Sequence, residues 1–217
     1  MNAPIAVIFD MDGTLVATTE LDFLAWQKLF SEYNVHITFE QYFPLLGMKS
    51  ADMVKHFLKL EGDNAAGALF TKMQYFDELV DLKGIELFAN TELLLSHLQS
   101  NNIPLALATS SRQRKMRRIM NDTGLAYFFQ TIVTGEEIVH GKPAPDIFLL
   151  AAKRLSIEPS SCIVVEDAIN GVIAAKAAGM KCIAVTNTHP HHDLSMADLI
   201  IDDLSQLLTI DLQSFFA

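Results

Sequence analysis

The sequence predicts an α/β fold: a doubly wound parallel sheet of the Rossmann-like kind, carrying an inserted all-helical domain. Three observations lead there. Short apolar runs rich in Val, Ile and Ala recur at 5–9, 103–109, 130–134, 162–166, 181–186 and 198–201, as in strands buried on both faces. Helical patterns fill the intervals at 145–155 and 168–178, the β-α alternation of a parallel sheet. Residues 17–82 hold no convincing buried strand, and their apolar spacing is helical. A core from 1–16 and 83–217 is therefore expected, with a helical insertion over 17–82.

Along the insertion, Leu21, Leu24, Ala25 and Leu29 mark one apolar stripe. Phe23, Trp26 and Phe30 mark a second, so the first helix has two faces to cover. The second stripe reads as insertion core, part of it able to line a cleft. Further helices are expected near 50–60 and 65–82, with Gly47 and the run Gly62, Asp63, Asn64 as breaks. In the core, a basic segment from Arg112 to Arg118 follows the second strand. The helix at 168–178 stops at Gly179, the residue type favoured just past a helix C-terminus.

With 217 residues, half of them hydrophobic, the chain can bury a sizeable core. That excludes disorder and a disulfide-stapled scaffold. Lys and Arg number 16 against 26 Asp and Glu, a net charge of −10. Such a balance argues against nucleic acid and against an anionic membrane surface as partners. No apolar run approaches a bilayer span, and Asp10 and Asp12 interrupt the N-terminal one, unlike a signal peptide. Cys162 and Cys182 sit among β-branched residues, as buried free thiols do. The expectation is a soluble cytoplasmic protein, monomeric or weakly self-associating, that handles a small molecule.

Chemistry gathers at the strand ends, where parallel sheets bind ligands. Asp10, Met11, Asp12, Gly13 and Thr14 follow the first strand. Two carboxylates so placed repel each other unless a cation or proton intervenes; the plain alternative is a turn, for which Asp and Gly are ordinary. Thr109, Ser110 and Ser111 end the second strand with hydroxyls and N–H groups at a helix start, either an anion site or a simple N-cap. Lys142 stands between Gly141 and Pro143, a cation in a rigid loop. Glu166 and Asp167 end the strand at 162–166, as further acids of the site or as a solvated end and a helix cap. Four such coincidences together exceed what turns and caps explain.

These residues, with Gly141 to Phe148 around Lys142 and the stretch after Glu166 and Asp167, resemble the motifs of the haloacid dehalogenase-like hydrolases. The likeness is above all to their capped sugar-phosphatase and β-phosphoglucomutase branch, in the same order over nearly the whole chain. It implies Asp10 as nucleophile, forming an aspartyl-phosphate, and Asp12 as acid and then base. It implies Mg²⁺ on the Asp10 carboxylate, the Asp12 backbone carbonyl and Asp167, with Glu166 nearby, an oxygen donor set suited to that ion. Thr109, Ser110 and Lys142 would hold phosphoryl oxygens, with Ser111 beside them. The insertion would be a cap whose loop at 46–50, with Gly47 and Lys49, reads a small phosphorylated metabolite. Asp12 argues for phosphoryl transfer to or from oxygen, since the dehalogenases of the family generally lack it.

Three departures from that branch stand out. Ala17 replaces a usual aspartate, Asp22 takes the place of a cap-helix histidine, and Lys49 replaces an arginine whose bidentate geometry a lysine does not reproduce. They favour a phosphatase over a sugar phosphomutase. Lys72 reads as a surface helix lysine, with contact to the leaving group as the lesser alternative, and Arg112 to Arg118 as a solvated basic face. His189, Pro190, His191 and His192 read as a surface loop or part of the site rim. A receiver-like or non-catalytic phosphate-binding module is the alternative of another class; the helical insertion and the Lys142 loop argue against it.

Overall fold

The computed structural model describes residues 5–216; the ends of the expected core at 1–4 and 217 lie outside the described residues. In chain order the elements are β1 (Ala6–Phe9), α1 (Thr19–Glu32), α2 (Phe39–Tyr42), α3 (Ser50–Leu58), α4 (Gly62–Lys83), α5 (Thr91–Ser100), β2 (Leu105–Thr109), α6 (Gln113–Thr123), β3 (Thr131–Thr134), α7 (Asp146–Leu155), β4 (Cys162–Glu166), α8 (Ile169–Ala177), β5 (Lys181–Val185) and β6 (Leu199–Ile201). The strands form one parallel sheet in the order β3-β2-β1-β4-β5-β6. The order reverses at β1, which lies between β2 and β4. A crevice opens beyond the strand ends at such a reversal.

Strand alternation divides the apolar residues between two faces. Val7, Phe9, Leu105, Leu107, Ile163, Val165, Ile183 and Val185 join one cluster with α5 and α6. Ala6, Ile8, Ala106, Ala108, Cys162, Val164, Cys182 and Ala184 join the other, against α7 and α8. Small strand residues there meet Ala151, Ala152, Ala174 and Ala175 of those helices, so helix and sheet approach closely. Both thiols are buried and free in this layer. The helix α8 closes with Gly179 N–H donating to Lys176 O and Met180 N–H to Ala175 O, a C-terminal motif that satisfies end carbonyls.

The helices α1 to α4 enclose a third cluster around Phe23, Trp26, Leu29, Phe30, Tyr42, Met53 and Val54. Trp26 stacks on Phe30 at 5.2 Å. Two strands of chain link this cap to the sheet: Val16 bridges to Leu87, Ala17 N–H donates to Glu86 O at 2.8 Å, and Phe88 N–H to Leu15 O at 3.0 Å. Leu21 and Ala25 of α1 and Met73, Phe76 and Val80 of α4 pack into the sheet-side core. The base of the cap is thereby continuous with the sheet domain.

Some boundaries differ from the sequence expectation. Gly62, Asp63 and Asn64 form the first turn of α4, where N-H groups lack partners and acids are favourable. The short α2 was not anticipated; Thr38 caps it, with Gln41 reaching back to the Thr38 N–H, a capping box. Asp167 does not cap α8, whose N-cap is Ala168 with no side-chain bond. Among the described residues no helix is long and apolar enough to cross a membrane.

Phe30 is fully buried at the centre of the cap. Phe30→Ala should lower unfolding free energy by about 3–5 kcal/mol, read from the denaturant midpoint. A loss under about 1 kcal/mol would contradict a close-packed cap core.

Candidate active site

β1, β2 and β4 are adjacent, so their carboxyl ends bring Asp10, Thr109 and Glu166 together. Asp10 is held by its N–H to Val165 O at 3.0 Å. Lys142 extends from the loop before α7 and donates to Asp10 Oδ1 and to Glu166 Oε1, each at 2.6 Å. The other Glu166 oxygen accepts from the Asp167 and Ala168 N–H groups at 2.7 and 2.8 Å. Glu166, expected near the metal, is thus engaged on Lys142 and on the backbone. A Cβ at position 171 would overlap the Glu166 carboxylate, which is why glycine stands in α8 there.

Asp167 accepts from Thr14 Oγ1 at 2.7 Å and from Thr188 Oγ1 at 2.5 Å. Gly13, with φ of +87°, brings the first loop so close that a Cβ would overlap the Asp167 carboxylate. Asn187 Nδ2 donates to Gly13 O at 2.9 Å and holds that loop from the β5 side. Asp12 Oδ2 accepts from Ser111 Oγ at 2.7 Å, and Oδ1 from Thr18 Oγ1 and from Lys115 Nζ, the latter at 2.8 Å. Ser111 N–H donates to Thr109 Oγ1 at 3.0 Å.

A cleft lies between these strand ends and the cap. Asp10, Asp12, Thr109, Ser110, Ser111, Glu166 and Asp167 line it from the core, and Gly47, Asp22, Trp26 and Tyr42 from the cap. Ser110 Oγ donates to Gly47 O at 2.6 Å, and Asn170 Nδ2 to Leu46 O at 3.1 Å, so the cap loop is fastened over the site. Lys49 does not point into the cleft. Its stem crosses Gly141, where a Cβ would collide with it, and its Nζ donates to Ile138 O at 2.8 Å.

Two lysines correct the sequence reading. Lys72 is a buried partner of Asp22, and Lys115 of the basic segment is buried between Asp12 and Asp22. Period and composition placed both on solvated faces; a carboxylate from another helix draws each inward. His189 is buried against Phe43 of the cap at 4.3 Å between ring centres. His191 and His192 remain exposed. Thr14, Thr188, Asn187, Lys115 and Asp22 complete the site's bonding without having been singled out for it. Thr14 lay within the first motif and Asp22 at the place of the cap-helix histidine; Thr188, Asn187 and Lys115 carry no spacing signal.

Asp10, Glu166 and Asp167 are buried with one ammonium, Lys142, among them. Burial, with the Glu166 charge adding to it, pushes Asp10 up from 3.8 to about 7 against the pull of Lys142. Burial and the charges of Glu166 and Asp10 push Asp167 well above the usual range. The surplus of negative charge is what a hard divalent cation would cancel. No group of three or more His, Cys, Asp and Glu is drawn together to hold a metal among the described residues. Two carboxylates and a carbonyl remain as donors, which suits Mg²⁺, an ion that keeps waters and substrate phosphate as ligands. The site fits that ion.

An acid-lined crevice at the centre of a parallel sheet, closed by a helical cap, defines a class of capped α/β hydrolases. The chain belongs to the haloacid dehalogenase-like hydrolases, whose family model matches residues 7–185. It is 32% identical over 201 residues to hexitol phosphatase A of Escherichia coli, covering 92% of this chain and 91% of that protein. It is 28% identical over 201 residues to validoxylamine A 7′-phosphate phosphatase of Streptomyces hygroscopicus, covering 92% and 94%. The crystal structure of β-phosphoglucomutase from Clostridium difficile superposes with a TM-score of 0.86 at 26% identity, over 98% of this chain and 96% of that one.

A carboxyl that holds its proton more tightly when folded costs stability as pH rises through the interval between its two pKa values. For Asp10 that interval runs from 3.8 to about 7. In EDTA at about pH 8, Asp167→Asn should therefore melt above the wild type, with Thr188 Oγ1 able to donate to the Asp167 backbone carbonyl instead. Mg²⁺ should raise the wild-type Tm and leave the variant nearly unmoved. A variant that melts below the wild type in EDTA would contradict the charge surplus.

Proposed function

We propose that this protein is a Mg²⁺-dependent phosphomonoesterase that hydrolyses a small phosphorylated metabolite, a sugar or polyol phosphate, through an aspartyl-phosphate on Asp10. The observation that carries the reading is that Asp10 and Asp12 line one cleft with the Thr109 to Ser111 donors, with Lys142 on Asp10. The named activities of the hexitol and validoxylamine phosphate phosphatases support a polyhydroxylated leaving group.

Lys142 occupies Asp10 Oδ1, leaving Oδ2 to attack phosphorus. The new O–P bond forms as the ester P–O bond breaks, and Asp12 supplies the proton that the departing alkoxide takes up. The alcohol leaves. A water then attacks the phosphoryl group as Asp12 takes back a proton, and cleavage of the Asp10–phosphorus bond returns the carboxylate and inorganic phosphate. The Ser110 N–H, Thr109 and Lys142 hold the phosphoryl oxygens as their charge develops, at positions fixed before substrate arrives. Glu166 keeps Lys142 in place. Held by Asp10, Asp167 and the Asp12 carbonyl, Mg²⁺ would supply charge neutralisation for the phosphate and the carboxylates. The cap closes the cleft over the substrate, and its opening releases product.

A mutase would hand the phosphoryl group to a second sugar hydroxyl. Asp22, in the place of that branch's cap-helix histidine, is committed to Lys72, Lys115, Trp26 and Tyr42, which speaks for water as the acceptor.

A panel of sugar and polyol phosphates assayed with and without Mg²⁺ tests the reading. Metal-dependent phosphate release is expected, lowered at least about 10³-fold in Asp10→Asn without loss of fold. Lys142→Met should lower kcat by about 10²–10³-fold with a smaller change in KM. Transfer to hexose hydroxyls with no net phosphate release would replace the phosphatase by the mutase.

A further inference from the structure

We infer that Lys115 is a positioning residue that ties the side chain of Asp12 to closure of the cap, through Asp22. The inference rests on the phosphatase reading, because it takes Asp12 as the acid–base group. The phosphoryl chemistry itself assigns Lys115 nothing to do, yet it is a buried cation at the mouth of the site.

Lys115 belongs to α6 of the sheet domain. Its Nζ lies 2.8 Å from Asp12 Oδ1 and 2.7 Å from Asp22 Oδ1. Asp22 belongs to α1 of the cap and is itself immobilised: Trp26 Nε1 donates to it at 3.0 Å, Tyr42 Oη at 2.9 Å, and Lys72 Nζ reaches it as well. With so many donors on one carboxylate, Asp22 has little capacity left for substrate. It serves as an anchor. Two lysines and two aspartates balance in charge, and Asp12 is the one member that belongs to the reaction.

The location matters because buried charges are costly unless paired. With the cap closed, Lys115 has both carboxylates. Separation of the cap removes Asp22 from its reach and exposes the remaining pair to water. Three further ion pairs join α6 to α4: Arg114 with Asp77 and Arg118 with Asp81, each at 2.6 Å, and Arg118 with Asp77 at 3.9 Å. They are partly exposed, and such pairs contribute little. The buried bridge is therefore where closure and Asp12 meet. The other Asp12 partners, Thr18 and Ser111, are hydroxyls, neutral donors that hold a carboxylate less strongly than an ammonium does.

The consequence is selective. Expulsion of a sugar alkoxide needs the Asp12 proton; expulsion of p-nitrophenolate, a stable anion, does not. First-turnover rates with the best sugar phosphate of the panel and with p-nitrophenyl phosphate separate the two. Lys115→Met should slow the sugar phosphate about 10²-fold and the nitrophenol burst by less than about threefold. Lys115→Arg, which keeps the cation, should recover most of the sugar phosphate rate. The near-isosteric Asp22→Asn should show the same split, and the double variant should be no slower than the slower single one. Equal slowing of both esters, or additive losses in the double variant, would overturn the inference. A wild type inert towards every ester would instead overturn the phosphatase reading, a distinct result. If Lys115→Met fails to fold, Lys115→Arg and Asp22→Asn decide through the same split.

Discussion

Lys142, itself buried, lies 2.6 Å from both Asp10 and Glu166, and much of the molecule serves that contact. An ammonium buried there needs a carboxylate partner, because a lone buried charge is costly. Glu166 in turn needs the Asp167 and Ala168 N–H groups, and it needs Gly171 to leave room. The sheet brings these groups together by placing β1 between β2 and β4. The same arrangement fixes Asp10 by one oxygen and leaves the other for chemistry. It also gathers more negative charge than Lys142 offsets, which is the physical case for a divalent cation beside it.

The cap repeats this logic at its own edge. Asp22, Lys72 and Lys115 are charged groups from three helices that become buried together. None is comfortable without the others. The cap loop adds lighter fastenings, Ser110 to Gly47 and Asn170 to Leu46, while Lys49 grips the carbonyls of the loop before Lys142. The closed cap thus supplies both a wall of the cleft and, through Asp22, a partner of the lysine that holds Asp12. Lys49 spends its ammonium on that loop, and the cap presents Trp26 and Tyr42 to the cleft instead.

Much of this was readable before any coordinates. Local rules sufficed for the strands: β4 matches its apolar run residue for residue, and the others differ by one or two positions at their ends. Asp10, Asp12, Thr109 and Glu166 were legible because chemistry at a strand end has a position in the chain. Lys72 and Lys115 were not. A helix periodicity assigns a lysine to the solvated face unless a carboxylate from a distant segment is known to meet it, and Asp22 is 50 residues from one and 93 from the other. Thr188 and Asn187 were hidden for the same reason, since they reach the first loop across the sheet. The inward turn of His189 depends on Phe43 in the cap, a contact that no window along the chain contains.

The claim at the centre is that Asp10 carries the phosphoryl group. Rapid acid quench during turnover, borohydride reduction of any acyl phosphate and peptide mass spectrometry would locate it. The account predicts a reduced side chain at Asp10, appearing within the first turnover and absent when substrate is withheld. Label on another residue, or full turnover with Asp10 unmodified at every quench time, would contradict it.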